Sequence, residues 1–256
     1  MNICQELKPI SISLSPNTEK DDIDLTLKLI FQPRKWKIGV NQRTHQRQSA
    51  STILEEEFKK YLGVKYAFSF NSGRAGLMAI LDSILKEENL SSEALAKEDE
   101  ILLQAFTCNS AVNPILNLDA KPVFVDIDET LNLDPDDLKK KITERSKAVM
   151  IQHTFGWPAK IDKISKIARE NNLYLIEDCA HSLGAEYKSK KSGLPADLRR
   201  PKPTTVGEGR SLAKAGSFGD ASFFSFGRDK IISSVFGGMV VTNNEKIGER
   251  IKEFHY

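Results

Sequence analysis

The chain has 256 residues, 40% of them hydrophobic, which is enough for a substantial core in one large domain or two small ones. Its 37 Lys and Arg oppose 35 Asp and Glu for a formal net charge of +2, with the signs interspersed, so composition excludes a strongly basic nucleic-acid or membrane-surface binder and leaves a small-molecule partner as the expectation. The three cysteines, Cys4, Cys108 and Cys179, are too few and too scattered for a disulfide framework or a zinc site; with no run near the roughly 20 apolar residues of a membrane helix and no signal-peptide stretch at the start, the sequence predicts a cytoplasmic protein.

Residues 1–50 are polar and weakly patterned and read as an arm. From Thr52 the order becomes regular. "ILEEEFKKYLG" spaces Ile53, Leu54, Phe58, Tyr61 and Leu62 helically and stops at Gly63. "KYAFSF" reads as a strand, "NSG" as a turn, and "RAGLMAILDSILKEE" as a helix with Leu77, Ile80, Leu81, Ile84 and Leu85 in one stripe. "EILLQAF" and "KPVFVDI" are further strands. "LDPDDLKKKI" opens a helix with Asp134 as N-cap and Pro135 in its first turn. "KAVMIQH" is a strand, "KIDKISKIAREN" an amphipathic helix, and "LYLIED" the continuous apolar strand expected where both faces of a parallel sheet are covered. "DASFFSF" and "GGMVVTN" are strands that bracket Lys230.

Strands alternating with helices over about 200 residues predict an α/β fold with a doubly wound, mostly parallel sheet and helices on both faces. Ligands bind such sheets at the carboxyl ends of the strands. That rule selects Asn71, Ser72 and Gly73, then Gln104 to Cys108, His153, Asp178 with His181, and Ser225 with Lys230. Each has a plain structural reading too. "NSGRAG" is either a phosphate cradle at a helix N-terminus or a turn in which Ser72 simply caps the helix. Asp178 and His181 fit a helix cap and a core histidine, and a lysine after a strand is usually a solvated charge. Together they ask for something more specific. A carboxylate at a buried strand end needs a positive partner, which a protonated ring nitrogen supplies, and an amine in a partly desolvated pocket is a nucleophile towards an aldehyde. Phosphate cradle, carboxylate and amine are together what pyridoxal 5'-phosphate (PLP) requires.

Four stretches in order, "EEEFKKYLGVKYAFSFNSGRAGLMAIL", "AFTCNSAVNPILNLDAKPVFVDID", "HTFGWPAKIDKISKIARENNLYLIEDCAHSLGAEY" and "GSFGDASFFSFGRDKIISSVFGGMVVTN", resemble the DegT/DnrJ/StrS family of PLP-dependent sugar aminotransferases. The resemblance implies the aspartate aminotransferase fold type. It makes Lys230 the lysine that bonds to the cofactor, Asp178 the partner of the pyridine nitrogen, and His181 a neighbour of the phenolic oxygen. Ser225, Ser72, Gly73 and Arg74 become phosphate contacts. It implies a homodimer that moves an amino group, typically from glutamate, to a keto-sugar, usually nucleotide-linked, for polysaccharide or glycan precursors. Two alternatives stay open: a PLP-binding remnant without turnover, and a sugar dehydratase, although dehydratase relatives are expected to carry His in place of the lysine.

The chain departs from the family pattern at several positions. Arg74 stands where Thr is usual, Cys108 where an aromatic ring often stacks on the cofactor, and Val235 and Phe236 where a Gly and an acid precede the Gly pair. Residues 189–214, rich in Pro, Gly, Lys and Arg, read as an insertion-like loop, either solvated or a flap whose Arg199, Arg200 or Arg210 meets a diphosphate. The last residues, "ERIKEFHY", fall within an expected helix where the family continues into a smaller C-terminal domain. The expected organisation is therefore an N-terminal fragment: an arm and helix at 1–51, a PLP-binding large domain at 52–250, and the start of a truncated C-terminal domain at 251–256.

Overall fold

A computed structural model describes residues 50–88, 99–189 and 211–255, with isolated helical positions at 24, 27 and 28. Its elements run α1 (Ala50–Leu62), β1 (Tyr66–Phe70), α2 (Gly73–Glu88), β2 (Glu100–Gln104), α3 (Asn109–Asn117), β3 (Lys121–Val125), α4 (Pro135–Lys141), β4 (Ser146–Gln152), a 3-10 turn (Thr154–Gly156), α5 (Ile161–Glu170), β5 (Tyr174–Asp178), β6 (Glu186–Ser189), β7 (Ser211–Lys214), β8 (Ala221–Ser225), β9 (Gly238–Thr242) and α6 (Glu245–His255). The main sheet has seven strands in the order β1-β9-β8-β5-β4-β2-β3. β9 runs antiparallel to both its neighbours, β1 and β8, and every other pairing is parallel. Six strands thus point one way. The carboxyl ends of β1, β8, β5, β4 and β2 open on one edge.

Alternate side chains of the strands feed two apolar layers, as a sheet covered on both faces requires. Ile101, Leu103, Met150 and Ile176 pack with Leu77, Ile80, Leu81 and Ile84 of α2. On the opposite face Leu102, Val149, Ile151 and Leu175 meet Leu138 of α4 and Ile161, Ile164 and Ile167 of α5. α2 carries Gly76 in its second turn because a Cβ there would lie 2.7 Å from Val240 Cγ2. The glycine costs a helix about 1 kcal/mol, whereas each fully buried Leu or Ile of its stripe contributes roughly 1.5–3 kcal/mol. Close packing wins. Asp134 caps α4, its side chain accepting from Asp136 N, with Pro135 at the first helical position.

Three boundaries differ from the sequence reading. The segment "NSAVNPILN" forms α3 despite Pro114 in its middle, because Ala111, Pro114 and Ile115 are buried against the core. The expected loop at 189–214 is closed by a hairpin: β6 and β7 pair antiparallel from Glu186 with Lys214 to Ser189 with Ser211. Residues 190–210, with Arg199, Arg200 and Arg210, lie outside the described residues, as does the arm before Ala50 apart from positions 24, 27 and 28. The boundary at 250 cuts a continuous helix: Ile247 and Ile251 of α6 are both fully buried in the core layer that holds α2.

Gly219, between β5 and β8, tests how tightly the strands that carry the cleft are held. A Cβ there would meet Leu175 O at 2.7 Å and Ala221 O at 2.8 Å, both backbone atoms of the sheet. Gly219→Ala is therefore expected to lower stability by about 1–3 kcal/mol, the range for overpacking, in a denaturant titration; an unchanged midpoint would contradict this packing.

Candidate active site

At the carboxyl edge of the sheet a cleft is lined by Gly73, Arg74, Cys108, Asp178, His181, Ser225 and Lys230, together with Ser110, Ala111, Gln152, Ala180 and Phe223. Five segments far apart in sequence converge there. Of the residues singled out from sequence, Ser72 is not among the lining groups: its hydroxyl oxygen accepts from Ala75 N at 3.2 Å, capping α2. His153 and Gln104, selected by the strand-end rule, are turned into the interior, where both are buried.

Lys230 sits in the turn after β8, its N–H donating to Gly227 O at 3.1 Å. Its Nζ lies 3.0 Å from His181 Nε2 and 3.1 Å from Asp229 Oδ2. Asp178 ends β5 and is buried, with Oδ1 accepting from Ala180 N at 2.9 Å. Burial pushes its carboxyl up to about 6, against the lowering effects of the Ala180 hydrogen bond and of Lys230. The half-buried His181 ring is held below the ordinary histidine value, first by burial and then by the Lys230 charge. Gly73 brings the start of α2 against the end of β8: a Cβ there would lie 3.0 Å from both Phe224 O and Ser225 Cβ. The first-turn N–H groups of this 16-residue helix therefore open beside Ser225. Cys108 holds the N-cap position of α3, and its sulfur accepts from Ser110 Oγ at 2.9 Å. Hydrogen bonds from the Ser110 side chain and backbone lower the thiol.

Beneath the cleft lies a group that the sequence reading passed over. Glu177, fully buried one residue before Asp178, accepts from Gly216 N at 2.9 Å, Phe218 N at 2.7 Å, Gly219 N at 2.6 Å and Ser222 Oγ at 3.1 Å. His153 Nε2 stands 3.0 Å from the same carboxylate, and His153 Nδ1 accepts from Ala159 N at 3.2 Å, so Nε2 is the donor. Burial raises the Glu177 carboxyl, but the His153 ring and the N–H groups of Gly219 and Gly216 outweigh it and hold the group low. His153, Glu177 and Cys179 bring three potential metal-ligand atoms within 4.8 Å of one another. The His and Glu atoms already have hydrogen-bond partners, and burial pushes the pKa of the Cys179 thiol well up, so His153 and Glu177 form a hydrogen-bonded staple with Cys179 beside it. The signal for it was an acid, Glu177, inside an otherwise apolar strand.

Known proteins share this fold. The model of the DegT/DnrJ/EryC1/StrS aminotransferase family matches residues 40–256. An uncharacterised protein of Methanocaldococcus jannaschii is 40% identical over 200 residues, covering 78% of this chain and 44% of the relative. The GDP-perosamine synthase of Escherichia coli O157:H7 is 32% identical over 202 residues, covering 78% of this chain and 47% of the synthase. The solved structure of PseC, a Helicobacter pylori aminotransferase involved in the biosynthesis of pseudoaminic acid, superposes with a TM-score of 0.69 at 25% identity, over 94% of this chain and 54% of PseC. The chain spans about half the length of the relatives it matches. Among the described residues no helix is long and apolar enough to cross a membrane.

The raised pKa of Asp178 fixes the sign of a stability effect. Its folded value of about 6 lies above the ordinary carboxyl value of about 3.9. The cofactor-free fold therefore carries no penalty from this group below about pH 4, and the full penalty above about pH 6. Asp178→Asn is expected to raise the melting temperature of the cofactor-free chain at pH 8, with the gain fading as pH falls through 6 towards 4. A gain independent of pH, or none, would show that the buried charge is not the cause.

Proposed function

Because the chain belongs to the DegT/DnrJ/EryC1/StrS aminotransferase family, we propose that it binds PLP in this cleft and moves an amino group, from glutamate, to a keto-sugar carried on a nucleotide, as a step towards a polysaccharide or glycan precursor. The observation that carries the reading is the convergence of the Lys230 amine and the buried Asp178 carboxylate on one cleft. The residues fit the cofactor. A carboxylate raised by burial calls for a cation, and a protonated pyridine nitrogen is one. The N-terminus of α2, with Ser225 and Arg74 beside it, offers N–H groups, a hydroxyl and a guanidinium to a phosphate, and Gly73 lets the start of the helix come close against Ser225.

When bound, PLP supplies an electron sink for the bond broken at the substrate carbon. Lys230 Nζ would hold the cofactor and, when free, would be the base that takes the proton from the donor's α-carbon and the acid that gives it back. Asp178 would hold a protonated ring nitrogen, and His181, 3.0 Å from Nζ, would orient the lysine and offer its imidazole to the phenolic oxygen. Cys108 lines the cleft where an aromatic ring often stacks in the family, and would offer the cofactor a smaller, polarisable contact. The whole protein is proposed to work as a homodimer in the cytoplasm. An amine at position 230 in place of an imidazole supports transfer over the dehydratase reading.

Titration with PLP is expected to give the visible absorbance band of an aldehyde condensed with an amine, and glutamate is expected to bleach it. Lys230→Ala loses the band and slows transfer by roughly a hundredfold or more, the scale of a missing general base. A band that forms but never responds to an amino donor would overturn the transferase in favour of a cofactor-binding remnant.

A further inference from the structure

The turn after β4 holds a feature that burial does not explain. Phe155 has a left-handed backbone, φ 53, a conformation that a bulky side chain adopts at a cost. Its ring is 73% exposed, so the apolar surface it buries does not offset that cost. The surrounding turn over-determines it. Thr154 N donates to Asn132 Oδ1 at 2.9 Å, and Asn132 Nδ2 donates to Trp157 O at 3.1 Å. Gly156 N and Trp157 N close the turn on His153 O and Thr154 O. At Gly156 even a Cβ would come within 3.2 Å of His181 O, so the turn presses on the segment that carries His181.

The ring's orientation shows what the strain achieves. Phe155 lies parallel to the His181 imidazole, with centroids 6.1 Å apart and planes 10° apart, while Phe106 meets Phe155 edge-on at 6.4 Å. The edge of the His181 ring at Nε2 meets Lys230 Nζ at 3.0 Å. We propose that Phe155 is a positioning residue, whose ring, held by the left-handed turn, clamps the His181 imidazole so that Nε2 faces Lys230 Nζ. It acts through His181 and needs no contact with the reacting atoms. Stacking also screens the imidazole from water, in line with burial being the leading cause of its lowered pKa; the charged groups acting on it are Lys230 and Asp229, and Asp178 lines the same cleft. Strained non-glycine residues gather where surrounding structure holds a functional group in place.

The inference rests on the cleft being the PLP site, and its test separates the two claims. Phe155→Tyr keeps the ring; Phe155→Asn tolerates a left-handed backbone without it. In the cofactor-free chain, the pH titration of His181 is followed by NMR, with His181→Gln assigning the resonance, and PLP affinity is measured separately. With Phe155→Asn the His181 titration is expected to move up towards the ordinary histidine value, and PLP binding to weaken about 2- to 10-fold, the span for a lost aromatic pair. Phe155→Tyr retains both. An unshifted His181 titration in Phe155→Asn, or a Tyr variant that behaves like Asn, would overturn the clamp. Absence of PLP binding by the unmodified chain would instead overturn the assignment of the cleft, while the cofactor-free titration still decides the clamp.

Discussion

Five donors converge on the Glu177 carboxylate, and the cleft above it depends on that convergence. Burying a carboxylate costs several kcal/mol unless its lone pairs are met, and here they are met from three places. The ring after β4 comes through His153, three N–H groups come from the turn of Gly216 to Gly219, and a hydroxyl comes from Ser222 of β8. One group therefore ties β4, β5, β8 and the turn between the hairpin and β8 into a single unit. Loss of a donor leaves the buried charge less well compensated, which favours this arrangement.

The staple explains how groups far apart in sequence meet within hydrogen-bond range. Side chains alternate along a strand, so with Glu177 turned into the interior, Asp178 is turned to the cleft. Asp220 reinforces the same register, accepting from Leu175 N at 2.8 Å through its side chain while its own N–H donates to Leu175 O at 2.7 Å. β8 is thus fixed in height beside β5, which sets where Ser225 ends and where the turn carrying Lys230 begins. On the far side β9 runs back between β8 and β1, with Gly238 opposite both Ser225 and Phe70. That brings the start of α2 to the same edge. Rigid sheet positions the amine, the carboxylate and the helix N-terminus, and the adaptable groups sit in the loops above.

Much of this was legible in the sequence because local and global preferences agree. The stripe of Leu77, Ile80, Leu81 and Ile84, the cap at Asp134 and the apolar run ending at Asp178 each point to the element that forms. The strand-end rule brought Asp178, His181, Ser225 and Lys230 to one edge before any contact was known. It erred where it could not tell which face a residue takes: His153 and Gln104 stand at strand ends too, but their side chains are consumed inside. α3 was missed because Pro114 and three Asn argue against a helix that tertiary packing of Ala111 and Ile115 sustains. Glu177 was missed because its partners are mostly backbone N–H groups some 40 residues away, and these leave no trace in a side-chain pattern. The strain at Phe155 is likewise a property of backbone angles.

The central claim is that Lys230 is the amine at which this cleft engages PLP. Reduction of the PLP-loaded chain with borohydride, followed by peptide mapping by mass spectrometry, tests it most directly. The reduced cofactor's mass is expected on Lys230, with the other lysines unmodified at stoichiometric PLP. Label spread over surface lysines, with Lys230 unmodified, would contradict it.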